Sequence, residues 1–277
     1  MSSYFVHPNF DPVIFSLGQF EVSGVLFEPA VRWYGMMYLL GMFASMYLLR
    51  RFADRSGGSW TYDQVSDLIF HVFLGVIFGG RIGYVLFYNL DHFLADPTYL
   101  FAMSQGGMSF HGGLIGVILA FVYHAKTNQR TFFQVADAVA PTIPIGLGLG
   151  RLGNFINGEL YGRVTDVPWA MIFPHADQLP RHPSQLYQFA LEGVALFLLL
   201  QWYQAKKPPE AAISGLFLIG YGCGRCIVET VREPDSHIGL YLNFFTQGQL
   251  LSLPMIAFGV YIIKLGHYKT SKIKAKS

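Results

Sequence analysis

Residues 244–263 read FFTQGQLLSLPMIAFGVYII, without an Asp, Glu, Lys or Arg, and Lys264 closes the run. Twenty helical residues rise about 30 Å, the thickness of a bilayer's hydrocarbon core. Residues 33–49, WYGMMYLLGMFASMYLL, repeat the pattern and are followed at once by Arg50 and Arg51. Between these two stretches lie five more apolar runs, at about Leu68–Tyr88, Gly107–Ala125, Thr131–Gly150, Ser184–Tyr203 and Ala211–Val228. The second of the seven is interrupted by His71 and Arg81, the fourth by Asp137, the fifth by Glu192 and the sixth by Arg225. Composition agrees: 52% of residues are hydrophobic and 13% charged, against about 25% charged in soluble domains. The expected fold class is an all-α integral membrane protein with about seven transmembrane helices.

Charge placement orients the spans. Arg50, Arg51 and Arg55 follow the first span, Lys126 and Arg130 the third, and Lys206 and Lys207 the fifth. The tail adds Lys264, Lys269, Lys272, Lys274 and Lys276. Twelve of the 19 basic residues thus fall on one side, which the positive-inside rule makes cytoplasmic. An odd number of spans then puts the N-terminus outside and the C-terminus inside. Residues 89–106 and 153–183 become long outer loops, rich in aromatics, Gly and Pro. The second is expected to form a small extracytoplasmic cap, and residues 1–31 an extracytoplasmic arm, whose last fifteen or so residues before Trp33 alternate apolar and polar as at an interface. No internal repeat is visible, so residues 1–277 read as a single polytopic membrane domain. The first thirty residues hold no Lys or Arg, so no cleavable signal peptide is expected. Neither end carries a lipidation motif, and Cys223 and Cys226 are too few for a disulfide framework.

Ionisable residues within spans are expensive, and each is a functional candidate weighed against an internal salt bridge. The richest stretch runs from Gly150 through Arg151, Gly153, Asn154, Asn157, Gly158, Glu159 and Gly162 to Arg163, at the outer end of the fourth span. Its glycines permit tight turns and close approach to a ligand. Arginine presents a planar fork matched to phosphate oxygens, and near the headgroup plane that phosphate belongs to a phospholipid. The bland alternative is a glycine-rich turn with Arg151 paired to Glu159. Ser109-Phe110-His111-Gly112-Gly113 places a histidine at the outer end of the third span, where it can act as a base near neutral pH or simply pack. Tyr221, Arg225 and Glu229, with Arg232 beyond, are spaced i, i+4, i+8 on one helix face; a structural polar seam is the competing reading. Cys223 and Cys226 form a C-x-x-C. A reactive thiol needs a helix start or a cation facing it, and these two sit well inside an apolar span, where small residues serve helix packing. No metal set, phosphate-binding P-loop or G-x-S-x-G motif is present, so neither metal nor cofactor is expected.

At these residues the chain resembles the prolipoprotein diacylglyceryl transferase family. Gly150–Gly162 reads as its signature, G-R-x-G-N-F-x-N-x-E-x-x-G. The likeness continues through Arg32-Trp33-Tyr34-Gly35, Gly80-Arg81-Ile82-Gly83-Tyr84, His111-Gly112-Gly113, His182-Pro183-Ser184-Gln185-Leu186-Tyr187, and Tyr221 with Arg225 and Glu229. The resemblance implies seven helices with the N-terminus outside, in the bacterial cytoplasmic (inner) membrane. It implies that phosphatidylglycerol donates its diacylglyceryl group to the lipobox cysteine of a preprolipoprotein signal peptide, releasing glycerol 1-phosphate, without cofactor or nucleic acid. By the same resemblance His111 is the candidate base, Arg151 the main phosphate ligand and Arg225 its assistant. Tyr34, Asn154 and Tyr221 orient the headgroup or the leaving oxygen. Glu159 and Glu229 hold the arginines, and Gly162 is a backbone position without room for a side chain. Whether His111 or Tyr221 takes the thiol proton stays open. The rival from another class is a transporter or channel for a lipid or anionic metabolite, since buried arginines also line anion pathways; a thiol oxidoreductase built on the two cysteines is more distant.

Overall fold

The computed structural model describes residues 4–22, 25–102, 106–233 and 245–274. In chain order the helices are α1 (Trp33–Arg55), α2 (Tyr62–Tyr88), α3 (Leu90–Ala95), α4 (Phe110–Thr127), α5 (Phe132–Val139), α6 (Ile143–Ile156), α7 (Ser184–Gln188), α8 (Leu196–Ala205), α9 (Ala212–Glu229) and α10 (Gln247–Lys274). A π-helical turn, Phe189–Ala195, joins α7 to α8. The short strands are β1 (Phe5–Val6), β2 (Val13–Ser16), β3 (Phe20–Val22), β4 (Val25–Phe27), β5 (Ala30–Arg32), β6 (Met171–Ile172) and β7 (Pro180–Arg181).

Four helical stretches are long and apolar enough to cross a bilayer: Tyr62–Tyr88, Ser184–Ala205, Ala212–Glu229 and Gln247–Lys272. A fifth arises if α5 and α6 count as one broken span. The break has a local cause, because Pro141 and Pro144 flank Thr142 and remove amide donors from the ladder. α1 and α4 form where the first and third spans are expected. They fall outside that set and carry polar residues, Tyr34, Tyr38, Tyr47 and Arg50 in one and His111, His124 and Lys126 in the other. The chain is therefore a mostly helical membrane protein with four or five such spans among the described residues. The start of the expected seventh span at Phe244, and Lys276 in the tail, lie outside those residues.

Contacts divide the chain into two compact units, residues 1–45 with 139–277, and residues 46–138. In the second unit Thr61 begins α2 with a capping box closed by Gln64. α2 and α4 then meet along glycines. A β-carbon on Gly75 would sit 2.5 Å from the Gly116 carbonyl oxygen, and one on Gly83 would sit 2.7 Å from the Gly112 Cα. Helices in lipid associate through such small-residue seams because no hydrophobic force drives them together. Arg81, on the same helix, is 1% exposed. Its guanidinium donates to the carbonyls of Leu100 (3.0 Å), Tyr99 (2.5 Å) and Gly106 (2.7 Å), and lies 4.8 Å from the centre of the Tyr99 ring. Of the two readings open to a charge in a span, Arg81 thus takes the structural one, clamping the loop after α3.

In the first unit α6 packs on the π-helical turn. A β-carbon on Gly193 would lie 2.9 Å from the Gly148 Cα. α9 and α10 cross at Gly215 and Gly259, where a β-carbon on either would lie 2.7 Å from the other's carbonyl oxygen. The N-terminal arm is tied to residues 153–183. β1 runs parallel to β6, which pairs antiparallel with β7. His7, 3% exposed, hydrogen-bonds through Nε2 to the Phe155 carbonyl at 2.7 Å and stacks on Phe173. The remaining strands of the arm form two antiparallel pairs, β2 with β5 and β3 with β4.

Candidate functional site

The polar residues of the first unit gather where α6, α7, the π-helical turn, α9 and α10 adjoin. The close Gly148–Gly193 contact sets this up. One turn beyond Gly148, Arg151 reaches Glu192, with Nε 3.8 Å from Oε2. Glu192 is fully buried while Arg151 is 19% exposed. π-helical turns recur at functional sites, and this one carries Glu192.

α9 supplies the opposite wall. Tyr221 lies near Arg151, Glu192 and Arg225. Arg225 pairs with Glu229 at 2.6 Å, and Arg232 joins the same carboxylate oxygen at 3.2 Å. The i, i+4 spacing of Arg225 and Glu229 places both on one face, as read from the sequence. α10 comes over this pair at Gly248, where a β-carbon would lie 2.8 Å from Glu229 Oε1 and 3.0 Å from Arg225 Nε.

The end of α6 forms a tight turn in which the Glu159 amide returns to the Asn154 carbonyl at 3.0 Å. The Glu159 carboxylate accepts from the side-chain amides of Asn154 (2.9 Å) and Asn157 (3.2 Å). Glu159 therefore steadies two carboxamides, whereas Glu192 is the ion-pair partner of Arg151; the expected Arg151–Glu159 pairing is replaced because Arg151 is aimed at the π-helical turn. Glu229 does hold arginines, Arg225 and Arg232. Tyr34, in the first turn of α1, lies against bare Gly153, where a β-carbon would meet its ring at 2.9 Å; its hydroxyl is 3.1 Å from that of Tyr38.

Gly162 has backbone on two sides. A β-carbon there would lie 2.6 Å from the Val231 carbonyl oxygen and 2.8 Å from that of His182. Beside it, His182 Nδ1 is 3.1 Å from the Tyr187 hydroxyl, which takes a hydrogen bond from Trp169 Nε1 at 2.7 Å. Burial holds the His182 imidazole below the usual histidine range, so it is neutral near pH 7. Asp177, Glu233 and the Gly162 carbonyl all accept from Arg181, which ties the loop between α6 and α7 together.

His111 belongs to the second unit. It is exposed in the first turn of α4, where Ser109 caps Gly112, and its ring lies edge-on to Phe110. Cys223 and Cys226 are free thiols on α9, the first exposed. Sequence reading singled out Arg151, Tyr221, Arg225, Glu229, Asn154 and Tyr34, and the first unit brings these together. It missed the placement of Glu192 and the parts played by Gln185, Gln188 and Gly248. Gln185, Gln188 and Glu192 recur along one helical stretch, and that polar stripe in an apolar span was the available signal. Gly248 carried none.

A family model described as prolipoprotein diacylglyceryl transferase matches residues 13–265. The phosphatidylglycerol–prolipoprotein diacylglyceryl transferase of Shewanella sp. strain ANA-3 is 66% identical over 256 residues, covering 92% of this chain and 96% of the relative. The protein of the same name from Vibrio vulnificus is 59% identical over 270 residues, covering 96% of each.

Proposed function

Because the chain belongs to the prolipoprotein diacylglyceryl transferase family, we propose that it moves the diacylglyceryl group of phosphatidylglycerol to a cysteine thiol of a prolipoprotein, the first step of lipoprotein maturation. The observation that carries the reading is the pair of guanidiniums with donors to spare. Arg225 Nη1 is buried without a hydrogen-bond partner, and Arg151 faces Glu192 only at 3.8 Å. Such a cradle suits an anion whose charge grows during the reaction. The thiol loses its proton, sulfur forms a bond to the terminal glyceryl carbon, and that carbon's bond to the phosphate oxygen breaks. The electron pair leaves with glycerol 1-phosphate, which takes up the proton. An unperturbed thiol has a pKa of about 8.5, so a base helps near neutral pH.

Arg151 and Arg225 hold the phosphate in this reading, while Tyr34, Asn154 and Tyr221 orient the headgroup or leaving oxygen. Glu159 and Glu229 position them, and Gly162 keeps backbone close. The proton acceptor is assigned to His111 from the family likeness, with Tyr221 as the alternative. The acceptor cysteine is that of the lipobox in the signal peptide, and no nucleic acid takes part. The transporter reading is not favoured, since the relatives are named as transferases.

Donor choice tests the reading. Phosphatidylglycerol is expected to support peptide lipidation, and phosphatidylethanolamine to be slower by about tenfold or more, because its ammonium would lie among guanidiniums. Equal rates from the two lipids would count against the site. The proposed setting is the inner membrane, with seven helices in one polytopic domain. The N-terminal arm and the 153–183 cap lie outside and the C-terminus inside, as the basic loops suggest. A reporter fused after Lys276 should then be cytoplasmic and one inserted near Asp177 extracytoplasmic; finding both on one side contradicts this topology.

A further inference from the structure

Gln185, Gln188 and Glu192 follow one another along α7 and the π-helical turn, and each is 0% exposed. Each is only half satisfied. The Gln185 amide nitrogen donates to the Glu159 carbonyl at 2.7 Å, and the Gln188 amide nitrogen to Glu192 Oε1 at 3.3 Å. A backbone carbonyl only accepts, and so does the Glu192 carboxylate when it is ionised beside Arg151, which fixes the orientation of each carboxamide. What remains is acceptor: Gln185 Oε1, Gln188 Oε1 and Glu192 Oε2 are buried without a hydrogen-bond partner. In the same cluster Arg225 Nη1 is a buried donor without a partner. Buried polar atoms left this way are costly and uncommon. Here they fall into a pattern, a row of acceptors beginning at the Asn154–Glu159 turn and ending at two guanidiniums.

The complementary ligand brings hydroxyl donors and an anionic acceptor in one small group. We propose that Gln185, Gln188 and Glu192 read the hydroxyls of the glycerol headgroup while Arg151 and Arg225 take its phosphate, which makes the three residues the headgroup-specificity element. The inference rests on the donor reading above and deepens it. An ethanolamine headgroup also has donors, but they come as a cation beside two arginines. A headgroup of the same charge without hydroxyls leaves the acceptors unmatched. A site built to bond a substrate hydroxyl rejects the analogue lacking it, because its own polar groups then stay unpaired.

The test compares phosphatidylglycerol with phosphatidyl-1-propanol, equal in charge, as donors to a lipobox peptide in detergent with the purified full chain. The wild type is expected to prefer phosphatidylglycerol by about tenfold in kcat/KM, the scale of a lost hydrogen bond. Gln188→Met keeps the length of the side chain without the carbonyl and should bring that ratio close to one. Gln185→Met reads the same ratio if the first variant elutes as an aggregate. A variant that slows both lipids in proportion, leaving the ratio unchanged, assigns the glutamines to structure and overturns the inference. A wild type that uses both lipids equally overturns it too, while leaving the transferase reading intact. No transfer from either lipid overturns both.

Discussion

Arg151→Lys is expected to lower the initial rate of peptide lipidation by roughly 10²–10³-fold, or about 2.7–4 kcal/mol, although it conserves charge. Arg151 projects from the last turns of α6 and is 19% exposed beside the buried carboxylate of Glu192. The 3.8 Å separation from Glu192 is an ion pair without a hydrogen bond, so the fork of the guanidinium is not consumed by its structural partner. A phosphodiester carries one negative charge, and the departing monoester develops more. A guanidinium can grip two of its oxygens and fix their direction, while an ammonium acts as a point charge. If Arg151 served only to neutralise Glu192, lysine would do nearly as well. The measurement is the rate for Arg151→Lys and Arg151→Ala at matched membrane levels and saturating lipid. A lysine variant within about threefold of wild type, under 1 kcal/mol, would remove the bidentate role.

Gly162→Ala is expected to cost on the order of 10²-fold in activity while the protein still inserts and purifies. Its new methyl would lie 2.6 Å from the Val231 carbonyl oxygen and 2.8 Å from that of His182. These are backbone atoms that cannot rotate aside, and overpacking of this kind typically costs 1–3 kcal/mol. Relief would come by moving the Val231–Arg232 segment away, yet Gly162 bridges Arg232 there and Arg163 donates to the Arg232 carbonyl at 3.0 Å. Arg232 shares Glu229 with Arg225, so the shift travels to the cradle, where misplacement by about 1 Å is enough for such a loss. Rates near wild type for the alanine variant would show that the backbone there gives way freely.

What was legible in the sequence was whatever depends on near neighbours in the chain. The grouping of Tyr221, Arg225 and Glu229 follows from helical spacing alone, and α9 carries it. The apolar run ending at Lys264 forms the first part of α10, which continues to Lys274, and the alternation before Trp33 became the β2–β5 and β3–β4 pairs. Pairings set by tertiary packing were not legible. Nothing local says that Arg151 faces Glu192, 41 positions later by their numbers, since this depends on two bare glycines meeting at Gly148 and Gly193. The π-helical turn has no composition of its own, and the parallel pairing of β1 with β6 joins segments more than 160 positions apart by their numbers. Arg81 stood open between a functional and a structural reading; its partners are loop carbonyls that periodicity cannot reveal.

The most direct measurement is the stoichiometry of a single reaction. Purified protein, phosphatidylglycerol carrying a labelled headgroup and a peptide with one lipobox cysteine should yield a peptide heavier by one diacylglyceryl group, joined through a thioether. One glycerol 1-phosphate should be released for each peptide modified. Lipidation without released glycerol phosphate, release without lipidation, or an equal mass gain by a peptide whose cysteine is replaced by serine would contradict the account.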